Sequence, residues 1–477
     1  MMKKIIISTL LAALSLAATA QTAREFTLPL SEDGVAQLVV YLPENPTGRA
    51  VVACPGGGYA VLSNTHEGAA WHEFFNAKGI AFALVNYRIP HGDRTLPIGD
   101  TEQAMRMMRD SAAVWHINPR DIGIMGSSAG GHLASTIATH TPFELRPDFQ
   151  ILFYPVITMG PGTHQGSLEG LLGNERTNPD LVRLYSNELQ VKSHLTPPAI
   201  LLLSDDDALV PPVPNAIAYY TAMRNAGNNC SLHIYPSGGH GYGYMPFFAF
   251  REQMLSDLSA WLDKLAAPAP DAVRVACIGD SITDGYGIDL SDVNGYPAQM
   301  QKMLGKGYDV RNFGVSSRTV LQKGDYPYTN EQAWQDALAF NPEVVIIKLG
   351  TNDSKPYNWV HKKDFAKDLK KLLDALQALP SQPKIYLCKP IPALKDSWGI
   401  SETVITEEID PLLEKAVKKE KLTGLIDLHA VFEGQEGLIL EDGIHPTQAG
   451  ARKIAETVAR VIDPDVKIEQ RPFWMMR

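Results

Sequence analysis

Residues Ile122–His132 read IGIMGSSAGGH, a short apolar run followed by a serine between glycines. The run predicts a strand, the residues after it predict a helix, and Ser128 lies at the turn between them. Glycines suit such a turn because its backbone is strained and because the strand and the helix pass close to each other. A second stretch, Cys277–Gly287, reads CIGDSITDGYG and presents Ser281 in the same kind of setting. The sequence therefore offers two serines, each at a strand-to-helix turn.

Runs of β-branched and other apolar residues recur on both sides of these turns, separated by longer amphipathic segments. Continuous apolar strands that alternate with helices indicate parallel sheets covered on both faces. We therefore predict an α/β fold with two doubly wound parallel-sheet domains. The predicted strands lie in RAVVACPGGG, IAFALVNY, DIGIMGSS, FQILFYPV, AILLLSDDD and CSLHIYPSGG in the first half, and in VRVACIGD, DVRNFGV, EVVIIKLGTND, KIYLCKPIP and LTGLIDLH in the second.

The chain has 477 residues, which suits two domains better than one. The clearest break is LAAPAPDAVRVA at residues 265–276, because Pro268 and Pro270 cannot continue the preceding helix. We predict a first domain at residues 23–266, a linker at 267–270, a second domain at 271–463 and a C-terminal tail at 464–477.

The first twenty residues have the features of a secretory signal. Two lysines precede an apolar run, and the run ends in Ala-Thr-Ala before Gln21. The run is shorter than the roughly 18–20 apolar residues that a membrane span requires. We predict cleavage after Ala20 and a periplasmic or secreted protein with no membrane attachment after cleavage.

Composition excludes some classes of partner. The formal net charge is −10 and no basic cluster suits nucleic acid. The four cysteines lie in or beside apolar runs and lack metal-ligand spacing, which favours buried free thiols over disulfides, although an oxidising compartment would permit disulfides. We expect neither a metal nor a cofactor.

Partners for Ser128 follow it in the chain. LLLSDDDALVPP offers Asp205, Asp206 and Asp207 after a predicted strand, and YPSGGHGYG offers His240 after the last one. A serine hydroxyl becomes a good nucleophile when an imidazole takes its proton, and a carboxylate fixes the tautomer of that imidazole. His132, which follows the turn inside the predicted helix, is interpreted as a packing residue.

Acyl transfer also needs donors for the oxyanion of the tetrahedral intermediate. CPGGGYAVL places consecutive glycines directly after an early predicted strand, where backbone N–H groups can approach an oxyanion closely. We predict that the donors are Gly57, Gly58 and Ala129, the residue after the first serine.

The first half resembles the esterase branch of the α/β-hydrolase superfamily that contains acetyl xylan and feruloyl esterases. The matching segments PGGGY, NYRIP, GSSAGGHLAS, SDDDALVP and GGHGYG stand in the expected order. The resemblance implies a metal-free serine esterase of acylated plant polysaccharide, and it favours Asp207 as the acid because this residue directly precedes ALVP.

The second half carries a further set of candidate residues. Asp442 and His445 lie on one short loop, DGIHPTQAG, so their relative geometry is fixed locally. Gly314 in NFGVSSRT suits a close backbone approach, and Asn352 in KLGTNDS can donate an N–H group to developing negative charge. These blocks resemble those of SGNH (GDSL-type) hydrolases, which implies Ser281 as nucleophile and its N–H group, Gly314 and Asn352 as oxyanion donors.

Within that superfamily the second half looks most like sialate O-acetylesterase-like members. A sialic acid carries a carboxylate, for which Arg318, Lys323 or Lys355 could supply a cation, although each of them also reads as a solvated surface charge. The favoured function is a bifunctional carbohydrate esterase that removes acetyl groups from glycans, with xylan-type hemicellulose preferred. The alternatives are a sialate O-acetylesterase, or one active domain joined to a glycan-binding module.

Overall fold

The computed structural model describes residues 24–468 and divides into two compact units. Of residues 24–468, the first unit comprises those up to Lys192 together with Thr196–Pro270, and the second comprises Ser193–Leu195 and those from Asp271 onward. The boundary at Pro270 falls at the end of the segment predicted as a linker. The predicted signal sequence and residues 469–477 of the predicted tail lie outside the described residues.

Within the described residues, the first unit holds an eight-stranded sheet. Its strands are β1 (Glu25–Pro29), β2 (Gln37–Tyr41), β3 (Ala50–Cys54), β4 (Ala81–Asn86), β5 (Ile122–Ser127), β6 (Gln150–Phe153), β7 (Ala199–Ser204) and β8 (Cys230–Tyr235). The spatial order is β1-β2-β4-β3-β5-β6-β7-β8. Strands β1 and β2 form an antiparallel edge, and β3 to β8 run parallel.

The apolar runs of the sequence form the centre of this sheet. Every residue of β3, β5, β6 and β7 is buried, as expected for strands covered on both faces. Strands β1 and β2 were not predicted, because neither is a continuous buried run: burial alternates along β1 and is incomplete in β2. The helices are α1 (Trp71–Ala77), α2 (Thr95–Asp110), α3 (Ala129–His140), α4 (Gln165–Leu172), α5 (Pro179–Leu184), α6 (Ala218–Asn225) and α7 (Arg251–Lys264).

Within the same described part of the chain, the second unit holds a five-stranded parallel sheet. Its strands are β9 (Val273–Gly279), β10 (Tyr308–Gly314), β11 (Val344–Lys348), β12 (Lys384–Lys389) and β13 (Gly424–Asp427), in the order β10-β9-β11-β12-β13. The helices are α8 (Ser281–Asp284), α9 (Ser291–Asn294), α10 (Tyr296–Leu304), α11 (Gln332–Ala339), α12 (Pro356–Trp359), α13 (Phe365–Gln377), α14 (Glu402–Val404), α15 (Asp410–Lys419), α16 (Leu428–Phe432) and α17 (Gln448–Ile462). The prediction of two parallel-sheet α/β domains is confirmed.

The strand orders create a topological switch point in each unit. In the first sheet the chain leaves β3 toward β4 on one side, whereas β5 continues toward β6 on the other. In the second sheet β9 lies between β10 and β11. Ligands bind beyond the carboxyl ends of strands at such switch points. The carboxyl ends of β5 and β9 lead directly to Ser128 and Ser281.

The cysteines agree with the prediction from the sequence. Cys54, Cys230, Cys277 and Cys388 are all buried free thiols. Burial raises the pKa of the Cys54 and Cys388 thiols to about 12, so both remain protonated at neutral pH. Among residues 24–468, no helix has the length and apolar character needed to cross a membrane.

Candidate active sites

The turn after β5 has the geometry of a nucleophile elbow. Ser128 has φ 54° and ψ −121°, a conformation that a residue other than glycine rarely adopts. A Cβ atom on Gly126 would lie 2.1 Å from the Gly130 carbonyl oxygen, and one on Gly130 would lie 2.1 Å from the Cys54 carbonyl oxygen. The flanking glycines are therefore required by close packing of α3 against β3 and β5.

Ser128, His240 and Asp207 form a hydrogen-bonded chain at this turn. His240 Nε2 lies 2.8 Å from Ser128 Oγ, and His240 Nδ1 lies 2.7 Å from Asp207 Oδ2. The other carboxylate oxygen of Asp207 accepts the N–H groups of Leu209 and Val210 at 3.0 and 2.9 Å. Asp207 is held on both sides, so it can orient the imidazole and stabilise the imidazolium that forms during acyl transfer.

The neighbouring acidic residues do not reach the imidazole. Asp206 accepts the N–H group of Gly239 at 2.8 Å, which supports the histidine loop, and Asp205 is exposed. His132 is fully buried, and its ring nitrogens lie 2.9 Å from Tyr59 Oη and 2.8 Å from the Tyr185 carbonyl oxygen. Burial lowers the pKa of His132 to about 4. The interpretation of His132 as a packing residue is confirmed.

The predicted oxyanion donors of the first site lie against the elbow. Gly57 and Gly58 have φ angles of 126° and 66°, and neither N–H group makes a hydrogen bond within the described part of the chain. A Cβ atom on Gly56 would lie 3.0 Å from Ser128 Cβ, so this loop passes directly beside the serine. Ala129 begins α3, where an N–H group has no intrahelical partner. These N–H groups are free to donate to a substrate oxygen.

The sequence analysis did not identify the residues that support His240, which are Tyr154 and Glu67. The Tyr154 ring packs against the imidazole with its centroid 4.8 Å away. Burial raises the pKa of Tyr154, so its hydroxyl stays protonated and donates to Glu67 Oε1 at 2.8 Å. The same oxygen of Tyr154 accepts the Gly243 N–H group at 2.8 Å. Four glycines of the histidine loop, Gly238, Gly239, Gly241 and Gly243, have positive φ, and Tyr154 fixes one end of this loop.

His164 also borders the first site, and the sequence analysis did not identify it. It precedes α4, and its Nδ1 accepts the Ser167 N–H group at 3.2 Å. Its Cε1 would lie 3.4 Å from a Cβ atom on Gly58, so the ring flanks the oxyanion loop. Burial and the charge of His240 lower the pKa of His164. A neutral imidazole therefore borders the first site.

The second unit contains an equivalent chain of hydrogen bonds. His445 Nε2 lies 2.7 Å from Ser281 Oγ, and His445 Nδ1 lies 2.8 Å from Asp442 Oδ2. Asp442 Oδ1 accepts the N–H groups of Ile444 and His445 at 2.8 and 2.9 Å. Burial raises the pKa of Asp442, but these hydrogen bonds and the His445 imidazole outweigh burial and lower it below the ordinary value. The carboxylate is therefore charged at neutral pH.

Asn352 and Gly314 have different surroundings. Asn352 is buried, and one N–H of its amide donates to the Arg318 carbonyl oxygen at 3.3 Å, which leaves its second N–H for a substrate. The Gly314 N–H group instead donates to Asn312 Oδ1 at 2.8 Å, which counts against its predicted role as an oxyanion donor. A Cβ atom on Gly314 would lie 2.3 Å from the Asp284 nitrogen. Close packing of β10 against α8 therefore explains this glycine.

Ser317 supplies a backbone donor that the sequence reading did not include. It lies in the loop after β10 with φ 71°, and its N–H group has no hydrogen-bond partner among residues 24–468. The preceding Ser316 is held through its N–H and Oγ groups by Asp284 Oδ2. The Ser281 N–H group is likewise without a partner in the described range.

A buried ion pair lies directly beneath Ser281. Lys348 Nζ lies 3.1 Å from both carboxylate oxygens of Asp280 and 2.6 Å from Thr351 Oγ1, and Lys348 and Asp280 are fully buried. Asp280 Oδ1 also accepts the Ile282 N–H group at 3.1 Å. The sequence analysis did not identify Lys348, which ends β11, because its partner Asp280 directly follows a different strand, β9.

Replacing Lys348 with methionine should strongly destabilise the second unit. The substitution leaves the Asp280 carboxylate buried without a cation, which costs about 3–5 kcal/mol. Urea unfolding of the full chain would measure this loss in the transition of the second unit. Lys370→Met removes the ion pairs of an exposed lysine with Asp374 and Glu420 and is the matched control, expected to cost less than about 1 kcal/mol. Equal losses in the two variants would contradict the assignment.

The segment Ser193–Leu195 contributes a further buried ion pair to the second unit. His194 Nδ1 lies 2.6 Å from Asp292 Oδ1, and His194 Nε2 lies 3.0 Å from Asp284 Oδ1. Burial lowers the pKa of His194, but the carboxylates of Asp292 and Asp284 outweigh burial and raise it to about 10. A charged imidazole therefore holds Asp284, which ends the helix that Ser281 begins. This contact is remote in sequence and was not predicted.

The three cations proposed for a substrate carboxylate already have partners. Arg318 Nη2 lies 2.7 Å from Glu331, Lys323 Nζ lies 2.9 Å from Asp364, and Lys355 Nζ lies 3.8 Å from Asp325; their side chains are 23%, 65% and 7% exposed. Lys323 is thus the solvated charge of the alternative interpretation, whereas Lys355 is buried. A free cation for a sialic acid is not provided by these three residues.

Both halves of the chain match known protein families. Residues 277–453 match the GDSL-like Lipase/Acylhydrolase family, and residues 38–150 match the family BD-FAE. The resemblance of the first half to α/β-hydrolase esterases and of the second half to GDSL-type hydrolases is thereby confirmed.

The similar proteins include enzymes of xylan breakdown. Acetylxylan esterase from Xylanibacter ruminicola is 54% identical over 468 residues, which cover 94% of this chain and 97% of that protein. Endo-1,4-beta-xylanase B from Butyrivibrio fibrisolvens is 32% identical over 235 residues, which cover 46% of this chain and 36% of that protein. The crystal structure of the acetyl ester-xyloside bifunctional hydrolase from Caldicellulosiruptor lactoaceticus has 30% identity and a TM-score of 0.47, covering 50% of this chain and 96% of that one.

Proposed function

Because this chain belongs to the acetylxylan esterase family, it is a carboxylic ester hydrolase of the carbohydrate acetylesterase type, and we propose that it deacetylates xylan at two independent serine sites. The observation that carries the proposal is the pair of hydrogen-bonded arrangements, Ser128–His240–Asp207 and Ser281–His445–Asp442. Each unit holds a complete arrangement of its own.

The reaction at each site proceeds through an acyl-enzyme. The histidine Nε2 takes the proton of the serine Oγ as this oxygen attacks the acetyl carbonyl carbon. The free N–H groups beside each serine then bind the oxyanion, and the protonated histidine gives its proton to the sugar oxygen as the ester bond breaks. A water molecule, activated by the same histidine, releases acetate and restores the serine.

Two sites on one chain suit a substrate with esters in different positions. A pocket shaped for one acetylated hydroxyl cannot accept every other position. Tethering raises the effective concentration of the second site near a polymer that the first has bound. The intact geometry of both serine–histidine–aspartate arrangements supports two active halves over one active half joined to a decayed glycan-binding module. With the signal sequence predicted at 1–20, we infer that the protein works in the periplasm or outside the cell.

Xylan is the favoured polymer because two of the similar proteins carry names from xylan breakdown. The sialate alternative needs a cation for the substrate carboxylate, and Arg318, Lys323 and Lys355 are each paired with an acidic residue of the chain. No described contact favours that alternative.

Acetate release from a panel of esters tests the proposed substrate. The wild-type protein should release acetate from acetylated xylan with a kcat/KM at least about tenfold above that for O-acetylated sialic acid, a difference of about 1.4 kcal/mol. Feruloylated arabinoxylan and long-chain p-nitrophenyl esters complete the panel. A preference for the sialic acid or for a long acyl chain would overturn the proposal.

A further inference from the structure

Two large aromatic side chains stand exposed beside the histidine of the second site. The side chains of Tyr286 and Trp398 are 51% and 53% exposed. Their ring centroids lie 4.5 and 5.4 Å from that of His445, and 6.3 Å from each other at an angle of 85°. Together they form an open aromatic corner at the imidazole that accepts the Ser281 proton.

The backbone holds Trp398 in place at an energetic cost. Trp398 has φ 55° and ψ 18°, a left-handed conformation that is strained for a bulky residue. Its loop is joined to the acid–base loop, since Ser397 Oγ donates to the Asp442 carbonyl oxygen at 2.6 Å and the Leu394 N–H group donates to that of Gly443 at 2.8 Å. The position of the indole is thus tied to that of Asp442 and His445.

Tyr286 is tied to the nucleophile in a similar way. Its N–H group donates to the Ser281 carbonyl oxygen at 2.9 Å. Gly285 and Gly287, with φ angles of 91° and 78°, let the chain turn sharply on both sides of it. The backbone of Tyr286 is therefore tied to the serine and the loop of Trp398 to the acid–base loop, while both side chains are half exposed.

We propose that Tyr286 and Trp398 form a sugar-binding subsite of the Ser281 site, which stacks a pyranose ring of the acetylated chain against the aromatic faces. This inference rests on the proposed function. The C–H face of a pyranose is apolar and packs on an aromatic face, while its hydroxyl groups remain in water or meet the polar edge of Tyr or Trp. An enclosed pocket would suit an acyl chain, whereas a half-exposed corner suits a hydroxylated ring.

Substitutions in a Ser128→Ala background test the subsite, because only the Ser281 site then turns over. Trp398→Ala and Tyr286→Ala should each lower kcat/KM for an acetylated xylo-oligosaccharide at least about tenfold, mainly through KM, since each variant loses apolar contact with the sugar ring. The kcat/KM for p-nitrophenyl acetate, which has no sugar, should fall much less than that for the oligosaccharide, and this difference separates sugar binding from positioning of His445. Trp398→Phe keeps an aromatic face and should restore most of the loss.

Phe247→Ala is the matched control, since Phe247 is an exposed aromatic residue of the first unit. An equal fall with both esters would show that the rings only position His445 and would overturn the subsite. A fall with longer acyl chains alone would assign the corner to the acyl group, and an unchanged KM for the oligosaccharide would also refute the proposal.

Calorimetric titration of xylohexaose onto the Ser128→Ala protein gives a readout that needs no turnover. Trp398→Ala should weaken the Kd at least about tenfold, and an unchanged Kd would overturn the subsite. If the Ser128→Ala protein hydrolyses neither ester, the proposed catalysis at Ser281 fails, and the titration still decides whether the corner binds sugar.

Discussion

Replacing Ser128 and Ser281 together with alanine should lower acetate release from acetylated xylan by about 10⁶-fold. Loss of a triad serine removes the nucleophile and leaves only the oxyanion donors and substrate binding, which is the basis for this magnitude. Each single variant should keep the activity of the other site. Acetate release by the wild type, the two single variants and the double variant measures the effect.

Ser127→Ala is the control for the first serine. Ser127 directly precedes the nucleophile and is fully buried, and its Oγ has no hydrogen-bond partner among the described residues. Its loss should leave turnover within about twofold, because no reacting atom is touched. If Ser127→Ala were as inactive as Ser128→Ala, the loss would reflect a disturbed elbow. If the double variant kept substantial turnover, neither serine would be the nucleophile.

The second large effect is expected for the acid of the first site. Asp207→Asn, studied with Ser281→Ala so that only the first site is active, should lower kcat about 10⁴-fold. An amide cannot stabilise the imidazolium, and it favours the wrong tautomer of His240. Steady-state kinetics with acetylated xylo-oligosaccharide as substrate measure this loss.

Asp206→Asn and Asp205→Asn are the matched controls for that measurement. Asp206 accepts only the Gly239 N–H group, which an amide oxygen can also accept, and Asp205 is exposed. Both variants should retain kcat within about fivefold. A large loss in Asp206→Asn with Asp207→Asn still active would contradict the geometry.

The hydrogen-bonded arrangements around Ser128 and Ser281 bring together residues that local sequence patterns already indicated. The glycines around Ser128 are required by contacts between residues close in sequence, and Asp442 and His445 lie on one short loop, so both patterns are visible without a structure. The order of predicted strands brought Asp207 and His240 to the same sheet edge. For the same reason the fold class could be predicted from apolar runs alone.

Features that depend on remote contacts escaped prediction. Lys348 meets Asp280 across two strands, and His194 comes from the first half of the sequence to hold Asp284. Glu67 supports His240 only through Tyr154. A glycine at a strand end, such as Gly314, suits either a close backbone approach to substrate or close packing, and the sequence does not separate the two; the hydrogen bond from its N–H group to Asn312 favours packing. Such choices depend on tertiary geometry.

Counting covalent adducts shows whether one chain carries two independent serine nucleophiles. A fluorophosphonate ester reacts with an activated serine and adds a fixed mass, which intact-protein mass spectrometry measures. We expect two adducts on the wild type, one on Ser128→Ala, one on Ser281→Ala and none on the double variant. A wild-type protein that takes a single adduct, or a double variant that still takes one, would contradict this expectation.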